Sequence, residues 1–223
     1  MDTRDQLLDA AEQLFAERGY AGTSLRAITH LAQANLAAVN YHFGSKENLL
    51  CSVVRRRVVP INQRRLEQLD AAEAAAGPAP VPVNRILRAL IEPVFEAGNG
   101  DGALGIYFPR LIGWLYSESI TQIEELYEAE FSEVFSRFVD ALAKSLPKHP
   151  RSDLYWFIQF TLGMLVTVLM TGDRIGLCTT GHCTQEPPEM LVHRLVGFAE
   201  GGFLGRDRAN TAPGSRTDTT RKI

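Results

Sequence analysis

The chain has 223 residues, of which 45% are hydrophobic and 22% charged, and its 23 lysines and arginines against 26 aspartates and glutamates give a net charge of −3. This is the composition of a globular protein with one large domain, or a small one joined to a larger, and it excludes disorder throughout, collagen and a coiled-coil rod. The near-neutral total also argues against a uniformly basic coat for nucleic acid.

The N-terminus, MDTRDQLLDAAEQLF, carries Asp9 and Glu12 inside its most apolar stretch, so it does not read as a signal peptide. Leu7, Leu8, Ala11, Leu14 and Phe15 recur on one helical face, and Gly19 follows as a stop. Thr23 and Ser24 are good caps for a short second helix with Leu25, Ile28, Leu31 and Ala32 on its apolar face. Asn35 caps a third helix ending at Gly44, whose stripe of Leu36, Val39 and Phe43 is expected in the core. A helix this short needs packing to survive. Ser45 starts a fourth helix, which Pro60 is expected to kink or interrupt.

The alanine- and proline-rich stretch from Ala71 to Val83 reads as a loop within the body or a soft boundary. Beyond it, apolar periodicity predicts helices at about Asn84 to Ala97, Ala103 to Tyr116, Ile120 to Leu146, Ser152 to Asp173 and Pro188 to Phe203. The last 18 residues hold almost no apolar side chains and predict a disordered tail. With no strand pattern, the fold class is all-α. The expected organisation is a three-helix helix-turn-helix domain over residues 1–50, a larger helical effector-binding and dimerisation domain over 51–205, and a tail over 206–223.

The charge is unevenly placed. From Arg18 to Arg65 eight basic residues stand against Glu47 alone, a window of +7 that leaves −10 for the remainder. A basic front on an acidic body is expected where one part meets phosphate and the rest does something else. Of Arg55, Arg56 and Arg57, at 100° intervals around a helix, one or two at most can face DNA, and the others are expected in solvent. Three short helices inside this window make a helix-turn-helix the natural hypothesis. The third would bring its first turn to the DNA, with small Ala37 and Ala38 allowing close approach and their methyls able to meet thymine methyls. Asn40 offers the paired donor and acceptor that match adenine, and Tyr41, His42 and Lys46 can reach phosphates.

The stretches LLDAAEQLFAERGYAGTSLRAIT and NLAAVNYHFGSKENLL resemble the DNA-binding domain of TetR-family transcriptional regulators over about the first 50 residues. The NLAAVNYHFGSK version is similar to the PsrA-like subgroup, regulators of fatty-acid breakdown, and YWFIQFTLGMLVTVLMTGDRI and EMLVHRLVGF resemble that subgroup's C-terminal helices. The resemblance implies that Thr23, Ser24 and Arg26 touch the DNA backbone, that Asn35, Leu36, Ala37, Ala38 and Asn40 lie at bases, and that Tyr41, His42 and Lys46 lie at phosphates. It also implies a homodimer through the last two long helices. One departure is Gln33, which stands where the turn between the second and third helices usually holds glycine.

Other chemistry has little support. Cys178, His182 and Cys183 lack a fourth metal ligand nearby, three cysteines fit a reducing cytoplasm better than a disulfide framework, and no catalytic set, phosphate loop or cofactor motif is present. No metal, no cofactor and no enzyme activity are therefore expected. The apolar run from Leu154 to Met170 is at the short limit for a membrane span, and a buried or dimer-forming helix is expected instead. Dimerisation has a mechanical reason too, because one short helix makes few base contacts and a two-fold axis doubles them.

In the body, aromatic residues such as Phe95, Tyr107, Trp114 and Phe131 describe a core and an apolar ligand pocket equally well. The PsrA-like resemblance implies a long-chain fatty acid or acyl-CoA there, with Tyr107, Arg110, Trp114 and Phe131 around it and Arg110 as carboxylate partner. The expected protein is a cytoplasmic repressor that binds an inverted-repeat operator in double-stranded DNA and is released by a small apolar effector. The alternative is a small helical lipid-binding protein or enzyme without specific DNA binding.

Overall fold

The computed structural model describes residues 2–100, 107, 111, 121–171, 174–184 and 186–205, and all secondary structure among the described residues is helical. The helices are α1 (Thr3–Arg18), α2 (Leu25–Leu31), α3 (Leu36–His42), α4 (Lys46–Ala76), α5 (Val83–Gly100), α6 (Thr121–Ser145), α7 (Arg151–Thr171), α8 (Ile175–Cys178) and α9 (Pro188–Leu204). Tyr107 and Leu111 are also helical, while the rest of the helix expected at 103–116, and the tail expected at 206–223, lie outside the described residues.

The starts of the first four helices are written locally. Asp2, Ser24, Asn35 and Ser45 hold extended backbone and accept a hydrogen bond from a backbone N–H in the first turn of α1, α2, α3 and α4 respectively, satisfying donors that have no partner within the helix. Gly19 ends α1 with a φ of 72°. Gly22 lets the chain fold back over that end, since a Cβ there would stand 2.4 Å from the carbonyl oxygen of Arg18.

Two cores share α4. In the head, α1, α2 and α3 pack together and α1 packs on α4. Leu8, Phe15, Ile28, Val39, Leu49 and Val53 form the centre of that core. In the body, α4 packs on α5 and α6, and α9 lies against α5 and α7. Its core contains Leu69, Leu87, Leu90, Phe138, Leu154, Ile158 and Val196. The buried residues of α4 belong to the head as far as Val58 and to the body from Ile61.

One expectation along α4 is narrowed and another needs correction. The helix continues through Pro60 without interruption, at the cost of one ladder bond. It also absorbs the first half of the supposed loop, because Ala71, Ala72, Ala74, Ala75 and Ala76 are strong helix formers and outweigh the signal of the prolines that follow. The connection is only residues 77–82.

Candidate nucleic-acid interface

The α2–α3 turn sets the angle of α3. Gln33 N–H donates to the carbonyl of His30 at 3.2 Å and Ala34 N–H to that of Thr29 at 2.9 Å, the paired bonds of a Schellman ending. This ending needs a left-handed residue, and Gln33 supplies it with a φ of 52°. The turn therefore has the geometry a glycine would give, held by a residue that bears a Cβ.

α3 presents one face outward. Asn35, Leu36, Ala37, Asn40 and Tyr41 are exposed, Tyr41 at 85%, while Val39 is buried. Leu36, expected in the core, is 46% exposed, because the head core is closed by Val39 and Phe43 without it. Ala38, expected at bases, is half-buried and packs against the head core. The side-chain carbonyl of Asn35 is committed to its own helix, accepting from Ala38 N–H at 2.8 Å. His42 is half-buried, with its ring edge-on to Tyr41 at 5.0 Å.

Beside α3, Ser24 and Arg26 are exposed on the first turn of α2, and the Ser24 hydroxyl accepts from Ala27 N–H at 3.1 Å. Thr23 does not join them. It is 2% exposed, and its hydroxyl is bonded to the carbonyls of Leu14 at 3.0 Å and Gly19 at 2.8 Å. This side chain ties the α1–α2 turn to α1 and does not reach the surface.

Lys46 is also partly engaged. Its ammonium donates to the Tyr20 carbonyl at 2.6 Å and lies 3.9 Å from the centre of the Tyr20 ring, so it anchors the start of α4 to the end of α1 as well as bordering the α3 face. The Tyr20 hydroxyl donates to Glu47. That bond, with help from backbone N–H, Ser45 and the charge of Lys46, holds the Glu47 carboxyl below the ordinary carboxylate range.

The basic window is very different in three dimensions. Arg55 pairs with Glu130 at 2.9 Å, Arg57 with Glu12 at 2.8 Å, and Arg56 with both Asp9 and Glu12. Arg64 pairs with Glu67 and Glu96. Arg65 is buried, donating to the Leu90 carbonyl and the Asn62 side chain. The arginines expected in solvent thus meet acidic groups of α1 and the body. Burial opposes the charge of Arg56, yet its bonds to Glu12 and Asp9 prevail and push its pKa up. What the head leaves outward is a small set: Arg4, Arg18 and Arg26, with Lys46 half-exposed.

Comparison with known proteins fits this geometry. The family model for bacterial regulatory proteins of the tetR family matches residues 7–53, and the model described as Tetracyclin repressor-like, C-terminal domain, matches residues 88–202, more than half of the chain. The chain belongs to the TetR family of transcriptional regulators. TetR-family proteins of this kind are DNA-binding regulators and not enzymes. The transcriptional repressor NicS of Pseudomonas putida is 38% identical over 72 residues, 32% of this chain and 34% of NicS. The transcriptional regulator BetI of Paraburkholderia xenovorans is 28% identical over 149 residues, 65% of this chain and 70% of BetI. The alignment with NicS therefore spans about a third of that relative's length. The solved structure of the fatty acid degradation regulator FadR from Bacillus halodurans superposes with a TM-score of 0.58 at 19% identity, over 91% of this TetR-family chain and 96% of FadR.

Of the residues suggested for an effector, Tyr107 and Phe131 are half-buried, and Arg110 and Trp114 lie outside the described residues. Phe131 stacks on Tyr127 with ring centres 4.6 Å apart. It also borders a packing crevice with Arg65, Leu90, Val134, Phe135, Phe138, Ile158 and Leu162 that is too narrow to admit a water molecule. Sequence reasoning missed Arg65 here because its charge was counted with the basic window.

Proposed function

We propose that this TetR-family regulator is a cytoplasmic, homodimeric repressor that binds an inverted-repeat operator and is released by an apolar effector of the long-chain fatty acid or acyl-CoA class. The observation that carries the DNA step is the outward face of α3, with Leu36, Ala37, Asn40 and Tyr41 exposed beside Ser24 and Arg26 of α2. Asn35, Tyr41, His42 and Lys46 flank that face and would engage backbone and bases together. Residues 1–50 would form the reading head and 51–205 the effector and dimerisation unit.

The dimer has its own support. Trp156 and Phe160 of α7 stack at 5.8 Å, yet are 60% and 59% exposed, and Phe198 of α9 is 74% exposed. Large exposed aromatic side chains on two helices that pack together support such an interface. An apolar outward face also accounts for α7 being long and apolar enough to cross a membrane by length and composition.

The effector class rests on the aromatic lining around Phe131, on the PsrA-like motif and on the FadR fold likeness. Ligand sites typically enclose roughly 300–1,000 Å³, and the crevice has no room even for water, so binding would have to open it. A shift that weakens DNA binding must, by linkage, weaken effector binding on DNA by the same factor.

The test is a mobility-shift assay on the DNA upstream of the protein's own gene, with oleic acid and oleoyl-CoA as probes. A retarded complex, lost with Tyr41→Ala/Lys46→Ala and dissolved by either probe, is expected. Absence of any sequence-dependent shift overturns the repressor, and a complex indifferent to both probes overturns the effector class. Sedimentation should give twice the 24.7 kDa chain mass, falling to the monomer in Trp156→Arg.

A further inference from the structure

The reading face of α3 is chemically one-sided. Its sequence, LAAVNYH, contains neither arginine nor lysine, the side chains that most often read guanine through O6 and N7. The carbonyl of Asn35 is occupied by the cap, and Ala38 and Val39 turn inward. This leaves Leu36, Ala37 and Asn40 as the groups on the front of the helix ahead of Tyr41. The Asn40 side chain makes no hydrogen bond among the described residues, so its amide is open to a bidentate contact.

A single exposed leucine needs no explanation in general. Leu36 is different because of where it stands. It follows the cap directly, lies on the same side of the helix as Asn40 four residues on, and has Ala37 beside it to let the backbone come close. An exposed aliphatic group there has one complement in a major groove, the C5 methyl of thymine, and the free amide has adenine.

We propose that α3 reads A·T pairs, with Leu36 against a thymine methyl and Asn40 bidentate to an adenine. Four residues of helix rise about 6 Å. That is close to two base steps of about 3.4 Å, so the two pairs lie about two steps apart in each half-site. Arginine contacts to guanine, where the operator has them, come from outside α3, with Arg26 of α2 an exposed candidate. The assignment rests on the docking of α3 proposed above.

The experiment is selection of bound duplexes from a randomised library by the intact protein, followed by replacing each thymine of the selected half-site with deoxyuridine, which lacks only the methyl. One position is expected to lose about fourfold in affinity, the equivalent of one buried methyl group at about 0.8 kcal/mol. That penalty should vanish in Leu36→Ala, whose folding is checked by its melting curve. Asn40→Ala should lose roughly ten- to a hundredfold at an adenine about two steps away. Selected half-sites with only G·C pairs under α3, or a uracil penalty unchanged in Leu36→Ala, overturn the proposal while leaving the docking intact. No enriched sequence at all overturns the docking and the proposal with it.

Discussion

Gln33 is where local strain is concentrated in the head. A side chain held in the left-handed region costs about 1–2 kcal/mol relative to glycine, offset in part by the greater freedom that glycine loses on folding. Gln33→Gly is therefore expected to raise stability by up to about 1 kcal/mol, read as a higher urea midpoint with unchanged slope. A lower midpoint would mean that the glutamine side chain makes a compensating contact. The residue-scale features near it were unevenly legible. Ser24, Asn35 and Ser45 could be read as caps because a cap depends on neighbours three residues away. Thr23 looks equally cap-like in sequence, but its burial is decided by the carbonyls of Leu14 and Gly19, which only the folded turn brings to it. Leu36 fitted an apolar stripe, and no periodicity tells which member of a stripe a short helix leaves outside.

Between elements, the seam of α1 and α4 is held by charge as well as by apolar packing. Glu12 is 2% exposed and receives Arg57 through two bonds and Arg56 through one. Removing the Glu12 charge leaves half-buried Arg57 without its partner and Arg56 with Asp9 alone, which costs more than the intact pairing contributes. Glu12→Gln should destabilise the protein by about 3 kcal/mol, measured by urea denaturation. A loss under about 1 kcal/mol would show that the apolar core alone fixes the seam. Asp9 and Glu12 were visible in the sequence only as obstacles to a signal peptide, and the arginine triplet only as a basic face. Their pairing across more than forty residues follows from the docking of α1 on α4, to which a one-dimensional charge count is blind. The helix over Ala71–Ala76 was obscured for the opposite reason, because strong local breakers just beyond it drew attention away from its propensity.

For the molecule as a whole, the +7 window overstates the field that DNA meets. With Arg4, Arg18, Arg26 and Lys46 as the outward cations of each head, a dimer neutralises at most about eight phosphates, and the logarithm of affinity should fall with the logarithm of salt with a slope no steeper than about −7. Were all eight basic residues of the window engaged, the slope would approach about −14. Operator titrations between low and physiological salt distinguish these values, and a slope beyond about −10 would show that DNA draws arginines away from their carboxylates. The all-helical fold and the long helices among the described residues were evident from sequence. The placement of charge was not, since linear proximity is a poor guide to which groups share a surface.

Pro60 lies where α4 passes from one core to the other, and its position fixes a length. The start of α4 is fourteen residues away, about 21 Å of helix at 1.5 Å per residue. A bend of about 10° at this point would carry the end of that lever through about 4 Å, a little more than one base step. Two levers in a dimer would double the change in separation between reading helices. The helix is thus long enough for a small angular change in the body to put two half-sites out of phase, and short enough to keep them in phase when the body is still.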